Sequence, residues 1–342
     1  MKKIVATLFQ ITVTVGLLYW VFHDPQKRAQ MWEALRQANY AWVVVALFAY
    51  GVVEFSAAVR WHILLKVQRI HLSGSRLSGL FLIGMFYNQF LPGGTGGDLI
   101  KSYFLLKETP GKATGALLAV VFDRLVGLVA LIMITGTLVA LRYQWLTQFP
   151  QTRSLVWILL AVLGSAILML LTSFVVSGFN LAHKLPQHFP ARERLVELSA
   201  AYHLYAHHWR ATLVAFAVSV VAHLSTFAMF LFVAYAFRAK VAVIDFFAIM
   251  PIERTISSLP ISLAGVGLRE KIFQVMLHGL CNVPEAVAVL IGSMSFLVML
   301  VCSAPGGIVY FFYKPSGEAG HVKLEQMRKE VATLEHEIAE NE

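Results

Sequence analysis

Apolar residues fill long runs along this chain, and polar residues gather at the ends of those runs or in two glycine-rich interruptions. A helix needs roughly 20 residues to cross a hydrocarbon core about 30 Å thick. Six runs are long enough: 4–22, 41–59, 113–141, 155–178, 211–237 and 286–312. Each closes on charge, proline or an aromatic residue, the types that hold a span at the membrane surface. Two further runs are shorter and broken. Run 77–90 makes only about 21 Å of helix. It stops at Leu91-Pro92-Gly93-Gly94-Thr95-Gly96-Gly97-Asp98, and a second arm, 99–106, follows with Lys101 inside it. Run 245–259 carries Pro251, Glu253 and Arg254 and stops at Pro260-Ile261-Ser262-Leu263-Ala264-Gly265-Val266-Gly267. A second arm begins Leu268-Arg269-Glu270-Lys271 and reaches about residue 280. Half-helix, break, half-helix predicts a re-entrant hairpin in each place.

The order span, hairpin, span occurs twice, in 41–141 and in 211–312. With the N-terminus in the cytoplasm, the first hairpin enters from inside and the second from outside. That arrangement is an inverted repeat. It assigns seventeen of the 28 Lys and Arg residues to cytoplasmic loops and nine to outer loops, with Arg124 and Arg254 left inside apolar segments. Cationic cytoplasmic loops are the normal bias, so both termini are expected inside. The sequence thus predicts an all-α polytopic membrane protein. Residues 1–313 form the membrane domain and 314–342 a charged cytoplasmic tail.

Composition agrees. Of 342 residues, 58% are hydrophobic and 14% charged, with a mean hydropathy of +0.68. A soluble surface needs far more charge. The net charge of +9 is explained by loop cations, and no nucleic-acid-binding motif accompanies it. Cys281 and Cys302 are isolated and form neither a disulfide framework nor a zinc pattern. Met1-Lys2-Lys3 and the run behind it resemble a signal peptide, but the run is too long and no small-x-small site follows. An uncleaved first span is expected. In the tail, Leu324, Met327, Val331, Leu334 and Ile338 form a two-heptad stripe, compatible with a solvated helix or with weak self-association.

Polar residues inside the apolar runs are the candidate chemistry, because an ionisable group at membrane depth is costly. At the first break stand Asn88, Gly93, Gly94, Gly96, Gly97, Asp98 and Lys101. The glycines either permit a tight turn or aim backbone N–H groups at an anion beside a helix N-terminus. Asp123 and Arg124 are neighbours on a helix and point about 100° apart, so each seeks a partner elsewhere, such as Asp98 or Lys101. They either pin the hairpin or serve the site. Glu253, Arg254, Arg269 and Glu270 flank the second break; an Arg fork grips phosphate, and Glu orients it. Glu54, alone in its run, is a structural acceptor or a possible proton carrier. His203 and His207 have the four-residue spacing that holds a metal, but no carboxylate or thiol completes the set. No metal site, cofactor or nucleotide motif is expected.

These residues resemble a known family. Asn88 with Leu91-Pro92-Gly93-Gly94-Thr95-Gly96-Gly97-Asp98-Leu99-Ile100-Lys101, then Phe122-Asp123-Arg124-Leu125-Val126-Gly127, then Leu259-Pro260-Ile261-Ser262 with Gly265-Val266-Gly267-Leu268-Arg269-Glu270 are similar to the membrane domain of lysylphosphatidylglycerol synthases. The likeness runs from about residue 4 to 313. The same module occurs alone in flippase-like membrane proteins. The resemblance implies movement of a lipid between leaflets, and no aminoacyl transfer, since a separate soluble domain carries that step in the full synthases and is not expected here. Lys101 stands where the family more often has Arg, which weakens a bidentate phosphate contact.

The expected function is therefore a lipid flippase, and not an enzyme, moving an anionic phospholipid or polyprenyl-linked lipid across a bacterial inner membrane. The alternatives are a membrane-embedded transferase acting on a lipid and a non-transporting envelope-pathway scaffold. Membrane lipids are the expected partners. A homo-oligomer or envelope-biosynthesis partners are further possibilities, and nucleic acid is excluded.

Overall fold

The computed structural model describes residues 10–19, 23–90, 96–109, 112–179, 192–259 and 261–313. No strand occurs among them. Five helices are long and apolar enough to cross a membrane. They are α3 (Tyr40–Val67), α6 (Ala113–Leu146), α7 (Pro150–Gly178), α9 (Trp209–Ala236) and α12 (Glu285–Phe312). Of the first expected run, the described part is a short apolar helix, α1 (Gln10–Tyr19). The tail stripe at 314–342 lies outside the described residues.

Local chemistry explains where the helices begin and end. The Asp24 carboxylate accepts from Gln26 N at 2.9 Å and starts α2 (Pro25–Arg36), with Pro25 filling a position that needs no N–H. Asn39 does the same for α3 through Ala41 N at 3.1 Å. Arg69 and Arg238 take left-handed backbone just past α3 and α9, the usual way to close a helix end. The outward faces carry Phe48, Phe55, Phe174, Phe311 and Phe312, all largely exposed. Such faces are unfavourable in water and suited to hydrocarbon. The chain is an all-α, multi-pass membrane protein.

The two interrupted runs each form a pair of short helices. The first is α4 (Gly74–Phe90) followed by α5 (Gly96–Glu108). Asn88 meets Gly97, Gly84 meets Lys101, and Arg76 pairs with Glu108, so the arms run antiparallel. A methyl group on Gly97 would sit 2.6 Å from Asn88 Cγ and collide with the Gly84 carbonyl. Gly97 is there to let two backbones approach. The second pair is α10 (Val243–Ser257) and α11 (Leu268–Phe273), the latter continuing through a π turn, Gln274–His278, to Cys281. Between α10 and α11, Ala264, Gly265 and Gly267 have φ of 50°, 74° and 82°. The tip depends on left-handed backbone that glycine adopts freely and alanine does not. α8 (Arg192–His207) precedes α9.

Helix α12 links the two pairs, packing on both α4 and α11. Gly306 and Gly307, beside Pro305, bring it flush with Leu82 and Phe86 of α4. α3 packs chiefly along α9. The result leaves a space between α3, α6 and the tips of both helix pairs.

Candidate functional site

That space is a cavity of about 500 Å³. It is lined by Tyr50, Glu54 and Arg60 of α3; Asn88, Gln89, Asp98 and Lys101 of the first pair; Asp123 and Arg124 of α6; and Arg254, Ser257, Ser262, Gly265 and Arg269 of the second pair. Five cations (Arg60, Lys101, Arg124, Arg254 and Arg269) thus face three carboxylates (Glu54, Asp98 and Asp123). An excess of positive charge in a low-dielectric enclosure favours an anionic guest.

The strongest contact is a fork. Arg60 Nε donates to Asp123 Oδ1 at 2.7 Å and Arg60 Nη2 to Oδ2 at 3.1 Å, while Nη1 reaches Ser219 Oγ at 3.1 Å. Both charged side chains are buried. Arg60 was expected in a cytoplasmic loop just beyond a span ending at Val59. Instead α3 continues for two more turns, and Arg60 lies inside it. The signal was present in the sequence: Trp61, Ile63, Leu64 and Leu65 extend the apolar run, and Trp61, Leu64 and Leu65 are fully buried. Lys101 and Arg269 also leave the loop tally, since both are buried in the protein. Removing all three does not change the sign of the charge asymmetry.

The neighbouring Arg124 turns away from Asp123 and pairs with Asp98, as the 100° offset required. Lys101 lays its ammonium 4.1 Å from the Trp61 ring centroid, a cation–π contact that helps hold a dehydrated charge. Asn88 lines the cavity and also accepts from Gly97 N at 2.9 Å, tying the arms together. Gly96 and Gly97 are buried at the start of α5. Gly93 and Gly94, and with them the anion nest expected at the first break, lie outside the described residues.

At the second break the candidates divide. Arg254 and Arg269 line the cavity. Glu253 stands behind Arg269 and accepts from its Nε at 3.3 Å. Glu270 does not line the cavity. It accepts from Gly267 N at 2.7 Å and from Ser293 Oγ at 3.2 Å, so it caps α11 and ties it to α12. The tip is further held by Thr14 of α1, whose hydroxyl accepts from Leu263 N at 2.9 Å. Glu54 lies one turn from Tyr50 on α3, and both face the cavity. Tyr50 and Ser257 were not singled out by sequence, and Ser262 was read only as part of the second break, because an isolated hydroxyl carries no spacing pattern.

Elsewhere, an apolar groove of about 800 Å³ runs between α6, α7, α8 and α9. Phe122 lies in it, on the opposite side of α6 from Arg124, and no Asp, Glu, Lys or Arg lines the groove. His203 Nδ1 bonds the Ser199 carbonyl and His207 Nδ1 the His203 carbonyl, so each Nδ1 is engaged with the backbone of its own helix. Among the described residues no cluster of three or more His, Cys, Asp or Glu converges on a metal position.

The comparisons with known proteins follow the same lines. The family model described as "Lysylphosphatidylglycerol synthase TM region" matches residues 7–306. A "UPF0104 membrane protein" of Pyrococcus horikoshii is 26% identical over 187 residues, covering 54% of this chain and 52% of that protein. The match therefore spans about half the length of that curated relative.

Proposed function

The chain belongs to the lysylphosphatidylglycerol synthase TM region family, and on that premise we propose that it is a flippase for an anionic lipid. One observation carries the reading. The tips of two broken helix pairs, together with the polar stretches of α3 and α6, enclose a single charged cavity inside an otherwise apolar helical protein. Charge placed so deep is expensive and is kept where a polar guest passes. Broken helices tolerate unpaired backbone in a bilayer where they are buried in protein or line such a cavity.

In this reading each short pair is a re-entrant hairpin. The first enters from the cytoplasm and the second from outside, so the halves 41–141 and 211–312 form an inverted repeat around the cavity. Rocking of one half against the other exposes the cavity to each leaflet in turn. The headgroup rides among the cations while the chains stay in the bilayer. Arg124, with about half of its side chain exposed, stands at the mouth. The protein translocates its lipid and does not modify it. A bacterial inner membrane and cytoplasmic termini complete the proposal.

The test is a leaflet-accessibility assay in proteoliposomes containing fluorescent phosphatidylglycerol. The parent protein is expected to exchange the lipid between leaflets, and mass spectrometry is expected to recover it unchanged. Asp123→Asn and Arg269→Ala are expected to slow the exchange. A parent rate equal to that of protein-free vesicles defeats the reading. Recovery of a lipid of altered mass replaces it with a membrane-embedded transferase.

A further inference from the structure

We propose that the tip of the second helix pair is a seat for one phosphodiester group of a membrane lipid, built from Arg269, Ser257 and Ser262; the proposal rests on the lipid-transport reading and names where the headgroup binds. The three side chains are 2%, 8% and 3% exposed, and all three line the cavity. Arg269 is held in a fixed pose. Its Nε donates to Glu253 Oε1 at 3.3 Å and its Nη2 to the Ala264 carbonyl at 3.1 Å. Nη1 has no partner, and neither does Ser257 Oγ nor Ser262 Oγ.

Three buried donors without acceptors are rare in a folded protein, because each loses its hydration without replacement. Ser257 and Arg269 meet at Gly265, and Ser262 lines the same cavity. A Cβ on Gly265 would lie 3.0 Å from Ser257 Cβ and 3.4 Å from Arg269 Nη2, so the serine and the arginine flank that glycine closely. The left-handed φ of 74° at Gly265 folds the tip around the guanidinium. An arginine edge and two hydroxyls present donors to a tetrahedral oxyanion, and charge-assisted bonds of this kind are the strong ones. Glu253 acts as a positioning residue. It keeps the fork pointed and offsets part of the arginine charge, which suits a guest of single negative charge such as a phosphodiester.

The purified protein in nanodiscs is titrated calorimetrically with dihexanoylphosphatidylglycerol, with dihexanoylglycerol as the uncharged analogue and with glycerol 3-phosphate as the free headgroup. Ser257→Ala/Ser262→Ala removes two buried hydroxyls and is expected to weaken the phospholipid by at least about tenfold. Arg269→Lys keeps the charge opposite Glu253 but loses the fork, and is expected to weaken it similarly. The uncharged analogue is expected to bind weakly and equally to all three proteins. Phospholipid affinity of the serine variant within about twofold of the parent overturns the seat, because retained hydroxyl bonds are then not needed. Glycerol 3-phosphate binding as tightly as the phospholipid overturns the lipid source. A parent that binds the phospholipid in this serine-dependent way, yet exchanges no lipid between leaflets, supports the seat and sinks the transport reading instead.

Discussion

The fork between Arg60 and Asp123 gives the sharpest energetic prediction. Asp123→Ala removes both acceptor oxygens and leaves Arg60 only its hydrogen bond to Ser219 Oγ. The guanidinium stays buried and cannot lose its charge. Breaking such a pair from one side costs about 3–5 kcal/mol, or two to four decades in the folded-to-unfolded ratio at about 1.4 kcal/mol per decade. Asp123→Asn keeps one acceptor at the right place and is expected to cost about half as much, since a neutral hydrogen bond is roughly half as strong as a charged one. Removing both charges, in Arg60→Met/Asp123→Leu, eliminates the uncompensated charge and is expected to fall within about 1 kcal/mol of the parent. The measurement is unfolding free energy in mixed micelles for the parent, Arg60→Met, Asp123→Leu and the double variant, with Asp123→Ala and Asp123→Asn alongside. The expected coupling is several kcal/mol. If the two single costs add up to the double cost within about 0.5 kcal/mol, the buried pair is not an energetic unit and the argument from its burial is wrong.

Other predictions use the same assay. Gly97→Ala and Gly306→Ala drive a methyl into a neighbouring carbonyl and are expected to lose about 1–3 kcal/mol, whereas Gly136→Ala meets open space and should lose nothing; equal behaviour of the three would show that close helix approach is not what these glycines supply. Gly265→Ala, at φ 74°, should cost about 1–2 kcal/mol and weaken phospholipid binding. Glu270→Ala removes the cap on Gly267 N and should cost about 1 kcal/mol, with Glu270→Gln close to the parent; the reverse order would mean that the charge, not the cap, matters. Arg124→Ala breaks a half-exposed pair worth under about 1 kcal/mol, so stability should hold while lipid exchange slows in proteoliposomes.

Much of this protein was legible because a membrane imposes a simple rule: backbone must be satisfied within the segment, so long apolar runs become helices. The runs at 41–59, 113–141, 155–178, 211–237 and 286–312 each match a long apolar helix, with ends within two residues except at the C-terminal ends of α3 and α6 and the N-terminal end of α7. The short arms also appear as helices on either side of the proline- and glycine-bearing stretches. Arg124 and Asp98 were readable as partners because helix geometry forbids Arg124 from pairing with Asp123. Arg60 was misread because charge was taken as the end of a span, although the apolar face continued past it.

The sequence by itself determined that this is a helical membrane protein, where proline and glycine interrupt its apolar runs, and that Glu54, Asp123, Arg124, Glu253 and Arg254 lie within those runs. Those facts are local and follow from transfer free energy along the chain. Only the tertiary structure decided which of those residues share a cavity, that Arg60 is the partner of Asp123, that Glu270 is a cap, and that Ser257 and Ser262 stand unpartnered beside Arg269. These contacts join α3 to α6 and the tip of one helix pair to its own second arm. They depend on how helices pack, through close approaches such as Gly97 on Gly84, and no single segment contains that information.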